Sequence, residues 1–175
     1  MPNAGLTRPA DNEYAPFYAG YVAGVPDDDL MDVLQRHGRE AATLLRHVSD
    51  ERSRHRYAEG KWTIREVTGH LSDSERVFTY RALTFARADA TALPSFDEVA
   101  WGAASNADQR PMHDLVGEME AVRAATIALF RGFSNVEWER WGTASGKKIT
   151  VRALAYIVAG HERHHLNVLR DRYGL

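Results

Sequence analysis

Apolar positions recur three and four residues apart in four long stretches of the chain, the spacing that lays a stripe along one side of an α-helix. The first stretch runs from an acidic cap at Asp27–Asp29 to about Val48, with Leu30, Leu34, Ala41, Leu44, Leu45 and Val48 inward. The second opens at Thr63-Ile64-Arg65-Glu66, a capping-box sequence in which the hydroxyl and the carboxylate satisfy end amides, and continues to about Arg87. Its apolar side carries Val67, Leu71, Phe78, Ala82 and Phe85. The third spans about 113–132, with Leu115, Met119, Val122, Thr126, Leu129 and Phe133 forming a bundle seam. The fourth follows a Thr150 cap and reaches about Arg172. A polar connection with Pro94, Gly102 and Pro111 joins the second to the third through short helical turns, and Trp141–Lys148 reads as a small hairpin. Residues 1–25, which carry Pro2, Pro9 and Pro16, read as an extended arm ahead of a body at 26–175. Tyr14, Phe17, Tyr18 and Tyr21 predict that this arm packs onto the body. Four amphipathic helices without a succession of strands predict an all-α, four-helix bundle.

Composition narrows the function. A chain of 175 residues, 44% apolar and 26% charged, suits one soluble domain with a proper core. Its net charge of -2 supplies no electrostatic pull toward nucleic acid or an anionic membrane. There is no cysteine, which excludes disulfides, thiolate metal ligands and a protein thiol nucleophile; a metal here must be held by nitrogen and oxygen. The N-terminal residues lack a basic start followed by an apolar run, and no apolar stretch approaches the roughly 18 residues of a membrane span. The expectation is a cytoplasmic protein with a small-molecule substrate.

The candidate chemistry lies in the fourth helix. His161 and His165 are four residues apart, so they differ by about 40° in direction and about 6 Å in rise. They share the stripe of Leu154, Ile157, Val158 and Val168, the apolar side of the helix. Buried imidazoles need partners, and a metal ion satisfies both at once. A catalytic zinc site takes three protein ligands and keeps one open position, so a third ligand is required. His70 faces the core of the second helix with Val67, Leu71, Ser74, Val77 and Phe78. His37 is a weaker alternative, His164 points 60–100° away from the pair by the same helix geometry, and His47, His55 and His113 read as surface residues. Two interpretations stand side by side: three separate core histidines bonded to backbone or carboxylates, or one metal centre.

His161-Glu162-Arg163-His164-His165 also spells H-E-x-x-H, the zinc-protease signature. That role needs a glycine where Val168 stands, and Asp171 then points away from His161 if the helix continues. Glu162 is instead read as a residue at the rim of the site or one that orients a ligand imidazole. Arg81 lies almost in line with His70, Ser74 and Val77, an inward place for a guanidinium. It serves either as a bidentate anchor for a carboxylate of substrate or cosubstrate, or as half of an internal salt bridge.

Two segments resemble the DinB-like superfamily, which includes the YfiT-like metal-dependent hydrolases. Lys61-Trp62-Thr63-Ile64-Arg65-Glu66-Val67-Thr68-Gly69-His70-Leu71 is similar to the family's opening of its second helix, and Ala159-Gly160-His161-Glu162-Arg163-His164-His165-Leu166 to the GHExHH of its last. Softer similarities run through Tyr18–Pro26, Glu75–Leu83 and Thr150–Val158. The resemblance implies an up-down-down-up bundle in which His70, His161 and His165 converge on one divalent metal, zinc or nickel. It also implies homodimers. Characterised relatives are largely enzymes dependent on low-molecular-weight thiols, bacillithiol S-transferases and the mycothiol-dependent maleylpyruvate isomerase among them. Three functions follow as expectations. The first is a thiol S-transferase that uses the metal to activate a small thiol, with Arg81 and Glu162 as candidate catalytic residues. The second is a metal-dependent hydrolase of a small molecule, and the third a non-enzymatic metal-binding stress-response module.

Overall fold

The computed structural model describes residues 6–175; the first residues of the predicted arm, Pro2 included, lie outside the described residues. The elements in chain order are α1 (Ala19–Ala23), α2 (Leu30–Arg46), α3 (Ile64–Ala86), α4 (Glu98–Ala104), α5 (Met112–Arg131), α6 (Asn135–Trp138), β1 (Trp141–Ala144), β2 (Lys147–Thr150) and α7 (Val151–Tyr173). The four long helices are those the periodicity predicts, and their starts are chemically marked. Asp29 accepts from the amides of Met31 and Asp32. Thr63 and Glu66 form the capping box at 3.0 and 2.7 Å, and Thr150 accepts from the Ala153 amide. Each such cap is worth about 1 kcal/mol. The start of α5 is capped from elsewhere: the Met112 amide donates to the Asp50 carboxylate at 3.2 Å, a partner 62 residues away. Gly174, with φ of 68°, ends α7 in the left-handed conformation common after helices.

Pairings between helices give their directions. The end of α2 meets the start of α5 through Asp50 and Met112, while Leu34 meets Arg123, so these two run antiparallel. Thr63 meets Asp108 and Arg76 meets Glu118, which makes α3 and α5 parallel. Tyr173 donates to the Trp62 carbonyl, and His70 meets His161, so α3 and α7 are antiparallel. The bundle is therefore up-down-down-up, with α2 and α3 on one diagonal and α5 and α7 on the other. Parallel α3 and α5 need a long return, which the 87–111 connection and its α4 supply. β1 and β2 pair antiparallel around Ser145 and Gly146, both at positive φ, as a two-residue hairpin turn requires.

The core follows the predicted stripes, with Leu44 on α2 and Val168 on α7 only half-buried. On α5 it keeps Leu115, Met119, Thr126 and the following Phe133 but departs at two positions. Arg123, Ile127 and Phe130 are buried, whereas Val122 and Leu129 are only half-buried. An arginine breaks the apolar pattern at the seam because its partners, Glu75 and Glu162, come from other helices. The N-terminal arm is laid along the body as two single helical turns and α1. Its buried Glu13 accepts from Thr150 at 2.8 Å and from Arg152 at 2.6 Å.

Candidate metal centre

His70 sits in the second turn of α3, and His161 and His165 occupy successive turns of the facing helix α7. One nitrogen from each ring falls within 4.8 Å of the others. The Nε2 atoms of His70 and His161 are 3.1 Å apart, and the rings of His161 and His165 are 4.5 Å apart between centroids. Imidazole nitrogens sharing a tetrahedral zinc at 2.0–2.1 Å stand roughly 3.3 Å from one another, so the spacing suits a single ion. Trp62 closes the His70 side at 4.7 Å between ring centroids, and Tyr21 and Phe78 flank His161 at 5.5 and 5.7 Å.

This environment keeps the imidazoles neutral. Burial lowers His70 to about 4. Burial, then the neighbouring His70 and His164, lowers His165 to about 3. Burial first, and then the adjoining histidines, push His161 well below its ordinary value. Neutral rings present lone pairs, the form a metal requires. Gly160 sets the approach of α1: a Cβ there would lie 2.0 Å from the carbonyl oxygen of Tyr21. Only a glycine at this position lets the backbone of α1 lie against α7 and bring Tyr21 over His161.

A family model matches residues 33–169, which takes in α3 and α5 whole, most of α2 and α7, and the three histidines. The chain belongs to the DinB superfamily. Among its DinB relatives is a protein of Geobacillus thermodenitrificans named "Putative metal-dependent hydrolase", 24% identical over 73% of this chain and 74% of its own length. A protein of the same descriptive name from Oceanobacillus iheyensis is 25% identical over 76% of this chain and 77% of its own. YfiT of Bacillus subtilis, also so named, is 21% identical over 95% of this chain and 93% of its own. The solved structure of YfiT superposes with a TM-score of 0.76 at 19% identity, covering 99% of this chain and 97% of that one. That likeness establishes the fold, described for YfiT as a four-helix bundle of unusual topology.

Other residues marked in this DinB chain go to different places. Glu162 leaves the histidines: its carboxylate accepts from Arg123 Nη1 at 2.7 Å, and Arg123 also donates to Glu75 at 2.9 and 2.8 Å and to the Leu34 carbonyl. Arg123 resists the burial that would neutralise it, because Glu162 and Glu75 hold it protonated above the ordinary range; burial raises Glu162 despite Arg123. A cavity of about 390 Å³ between α2 and α5 borders Arg123 and Glu162, and none of the three histidines lines it. A smaller cavity of about 150 Å³ reaches His161, and Arg81 lines it as well. Arg81 is buried, with Nη2 donating to the Pro94 carbonyl at 2.8 Å and to Ser145 Oγ at 3.1 Å. No carboxylate pairs with it among the described residues. His164 is exposed beside Tyr21, and His47, His55 and His113 are exposed. His37 is buried on α2, outside the histidine cluster, with Nδ1 lacking a partner.

Sequence reasoning passed over Glu75, Arg123 and the roof that Tyr21 makes. Periodicity treats a charged residue as a gap in the stripe, so only a charge at a seam position, such as Arg123 between Met119 and Thr126, signals a buried network. Gly160 beside His161 was the available sign of a close-packed segment over the site.

Proposed function

We propose that this protein is a metal-dependent enzyme in which His70, His161 and His165 hold one divalent ion, zinc or nickel, beside a pocket for a small-molecule substrate. A bound ion supplies Lewis acidity and lowers the pKa of a thiol or water in its open position. The reading rests on one observation: three neutral imidazoles from two helices converge within 4.8 Å, and one of them, His161, lines a cavity that the buried Arg81 also borders. Nitrogen from imidazole is a ligand type common to zinc and nickel. Trp62, Tyr21 and Phe78 pack against the histidine rings and restrict their orientations.

Of the reactions open to such a centre, transfer of a small thiol onto an electrophile is favoured. Glu162, the nearest carboxylate in sequence, is bound to Arg123 and is not free to act as a base on water. The chain has no cysteine, so sulfur must arrive with a cosubstrate. Hydrolysis is the second reading. It is favoured by the descriptive names of the relatives and by Glu98, an exposed carboxylate on the rim of the same cavity.

Metal analysis of the purified protein tests the centre. Alanine at His70, His161 or His165 is expected to remove most of the bound metal, and His164→Ala to leave it. The reverse pattern would overturn the ligand assignment. Cobalt-substituted protein titrated with low-molecular-weight thiols should develop sulfur-to-cobalt absorption; silence with every thiol, alongside turnover of ester or amide substrates, would select hydrolysis.

A further inference from the structure

The guanidinium of Arg123 joins all four long helices at one point. From α5 it gives Nε and Nη2 to the two oxygens of Glu75 on α3, at 2.9 and 2.8 Å, and Nη1 to Glu162 on α7 at 2.7 Å. The same Nη1 donates to the Leu34 carbonyl on α2 at 2.8 Å. The neighbouring helix makes room for this side chain. A Cβ on Gly38 of α2 would lie 3.0 Å from Arg123 Cγ and 3.1 Å from Nη1, and would crowd both.

Two of its three partners belong to the helices that carry the histidines. Glu162 follows His161 on α7 and turns about 100° from it; Glu75 stands five residues beyond His70 on α3 and about 140° from it. Each helix therefore shows its imidazoles to the other and its carboxylate to α5. The Cα atoms of Glu75 and Glu162 lie about 7.5 and 1.5 Å along their helices from those of His70 and His161, and both side chains lean toward the N-terminal ends. In an antiparallel pair those leans converge, so the carboxylates meet Arg123 within about a turn of the His70–His161 contact. On the other side of His70, Tyr173 of α7 donates to the Trp62 carbonyl at 2.6 Å. Along α3, His70 thus lies between two fixed points.

Stability alone does not account for such a network. Replacing a buried charged triad by apolar side chains of similar volume is often neutral or stabilising, and the best-attested use of such groups is to specify a register. Apolar stripes attract without direction, so two of them can slide or roll past each other. A metal site tolerates little of that, because its ligand distances must hold within about 0.2 Å. A bidentate pair of guanidinium and carboxylate fixes direction as well as distance. We propose that Arg123 is a positioning residue of the metal centre. By holding Glu75 and Glu162 it sets the slide and roll of α3 against α7, and so keeps His70 opposite His161 and His165 before an ion arrives. This rests on the reading of the three histidines as a metal site and names what preorganises it.

The test compares the parent protein with Arg123→Met, Arg123→Lys and the triple variant Arg123→Met/Glu75→Gln/Glu162→Gln, in which no charge is stranded and melting returns toward the parent. Zinc affinity is read by competition with a chelator, at a temperature where circular dichroism shows each protein folded. Preorganisation is read in the metal-free proteins from the ring N–H that the 3.1 Å contact between the Nε2 atoms of His70 and His161 requires, as protection of that proton from exchange with water. Arg123→Met and the triple variant are expected to bind zinc about ten- to a hundredfold more weakly and to lose the protected proton, with Arg123→Lys between them and the parent. A triple variant that recovers zinc affinity together with its melting temperature would overturn the proposal, since the network then acts through stability alone. So would parental zinc affinity, or an unchanged ring proton, in folded Arg123→Met. If Arg123→Met does not fold, the triple variant and Arg123→Lys decide. A parent that binds no zinc refutes the metal reading by itself, and the ring proton then decides whether Arg123 positions the histidines.

Discussion

Arg123→Met removes the one cation between two buried carboxylates. The side chains of Arg123, Glu75 and Glu162 are 6%, 8% and 4% exposed, so the two carboxylates lose a buried partner, and only the cavity beside Glu162 offers room for water in its place. Breaking a buried pair by deleting one member typically costs about 3–5 kcal/mol, and two stranded anions place this site toward the upper end. For a chain of this length a kcal/mol corresponds to about 2–4 °C, so melting should fall by about 6–20 °C. The pH dependence gives a sharper signature. Burial already raises Glu162, and without Arg123 that rise is no longer opposed, so the folded form binds more protons. Stability is then fully present below the unfolded glutamate range near 4.3 and is lost as pH rises through the raised value. The deficit of the variant against its parent, measured by urea denaturation, should shrink from pH 7 to pH 5. Adding Glu75→Gln and Glu162→Gln to the variant should recover much of the loss at pH 7. A deficit under about 1 kcal/mol, or one independent of pH, would refute the charged network as a structural element.

Two further outcomes are expected. In the metal-free protein, His70 and His165 titrate at about 4 and about 3, below the unfolded value, so their contribution to stability is full above pH 6.5 and is lost as pH falls toward 4. The slope in that window is as much as about 2.7 kcal/mol per pH unit for the two together, and a flat profile from pH 7 to 5 would contradict it. Gly160→Ala drives a methyl group into the Tyr21 carbonyl and should cost about 1–3 kcal/mol. It should also expose the segment ahead of α2 to limited proteolysis; unchanged resistance would show that α1 does not depend on that contact.

Much of this architecture was readable from the chain because its signals are local. Thr63 with Glu66, Thr150 and the acidic run before Leu30 mark helix starts by chemistry within a turn of the residues they cap. The pair His161 and His165 declares its shared face by spacing alone, and His70 by its place beside Leu71 and Phe78. What stayed hidden depends on distant partners. The Asp50 cap on α5 and the burial of Arg123 at a seam position exist only because separate segments meet. Helix order around the bundle is likewise invisible to periodicity, since any ring of four stripes buries the same residues; the up-down-down-up arrangement came from family resemblance. The position of Arg81 was legible as inward, but that its partners are a carbonyl and a hydroxyl required the hairpin and the connection to be folded against it.

The antiparallel pairing of α3 with α7 joins residues 91 positions apart in the chain. During synthesis, His70 emerges long before the helix carrying His161 and His165, and no earlier segment supplies the missing pair. Capture of an ion by all three would therefore be postponed until α7 has docked. An ion clamped there closes a loop of some ninety residues, a closure that in the chain-entropy view removes about 4–5 kcal/mol worth of freedom from the unfolded ensemble. The centre would thus act as a latch that engages only on a finished bundle, and chelation would loosen both halves of the molecule together.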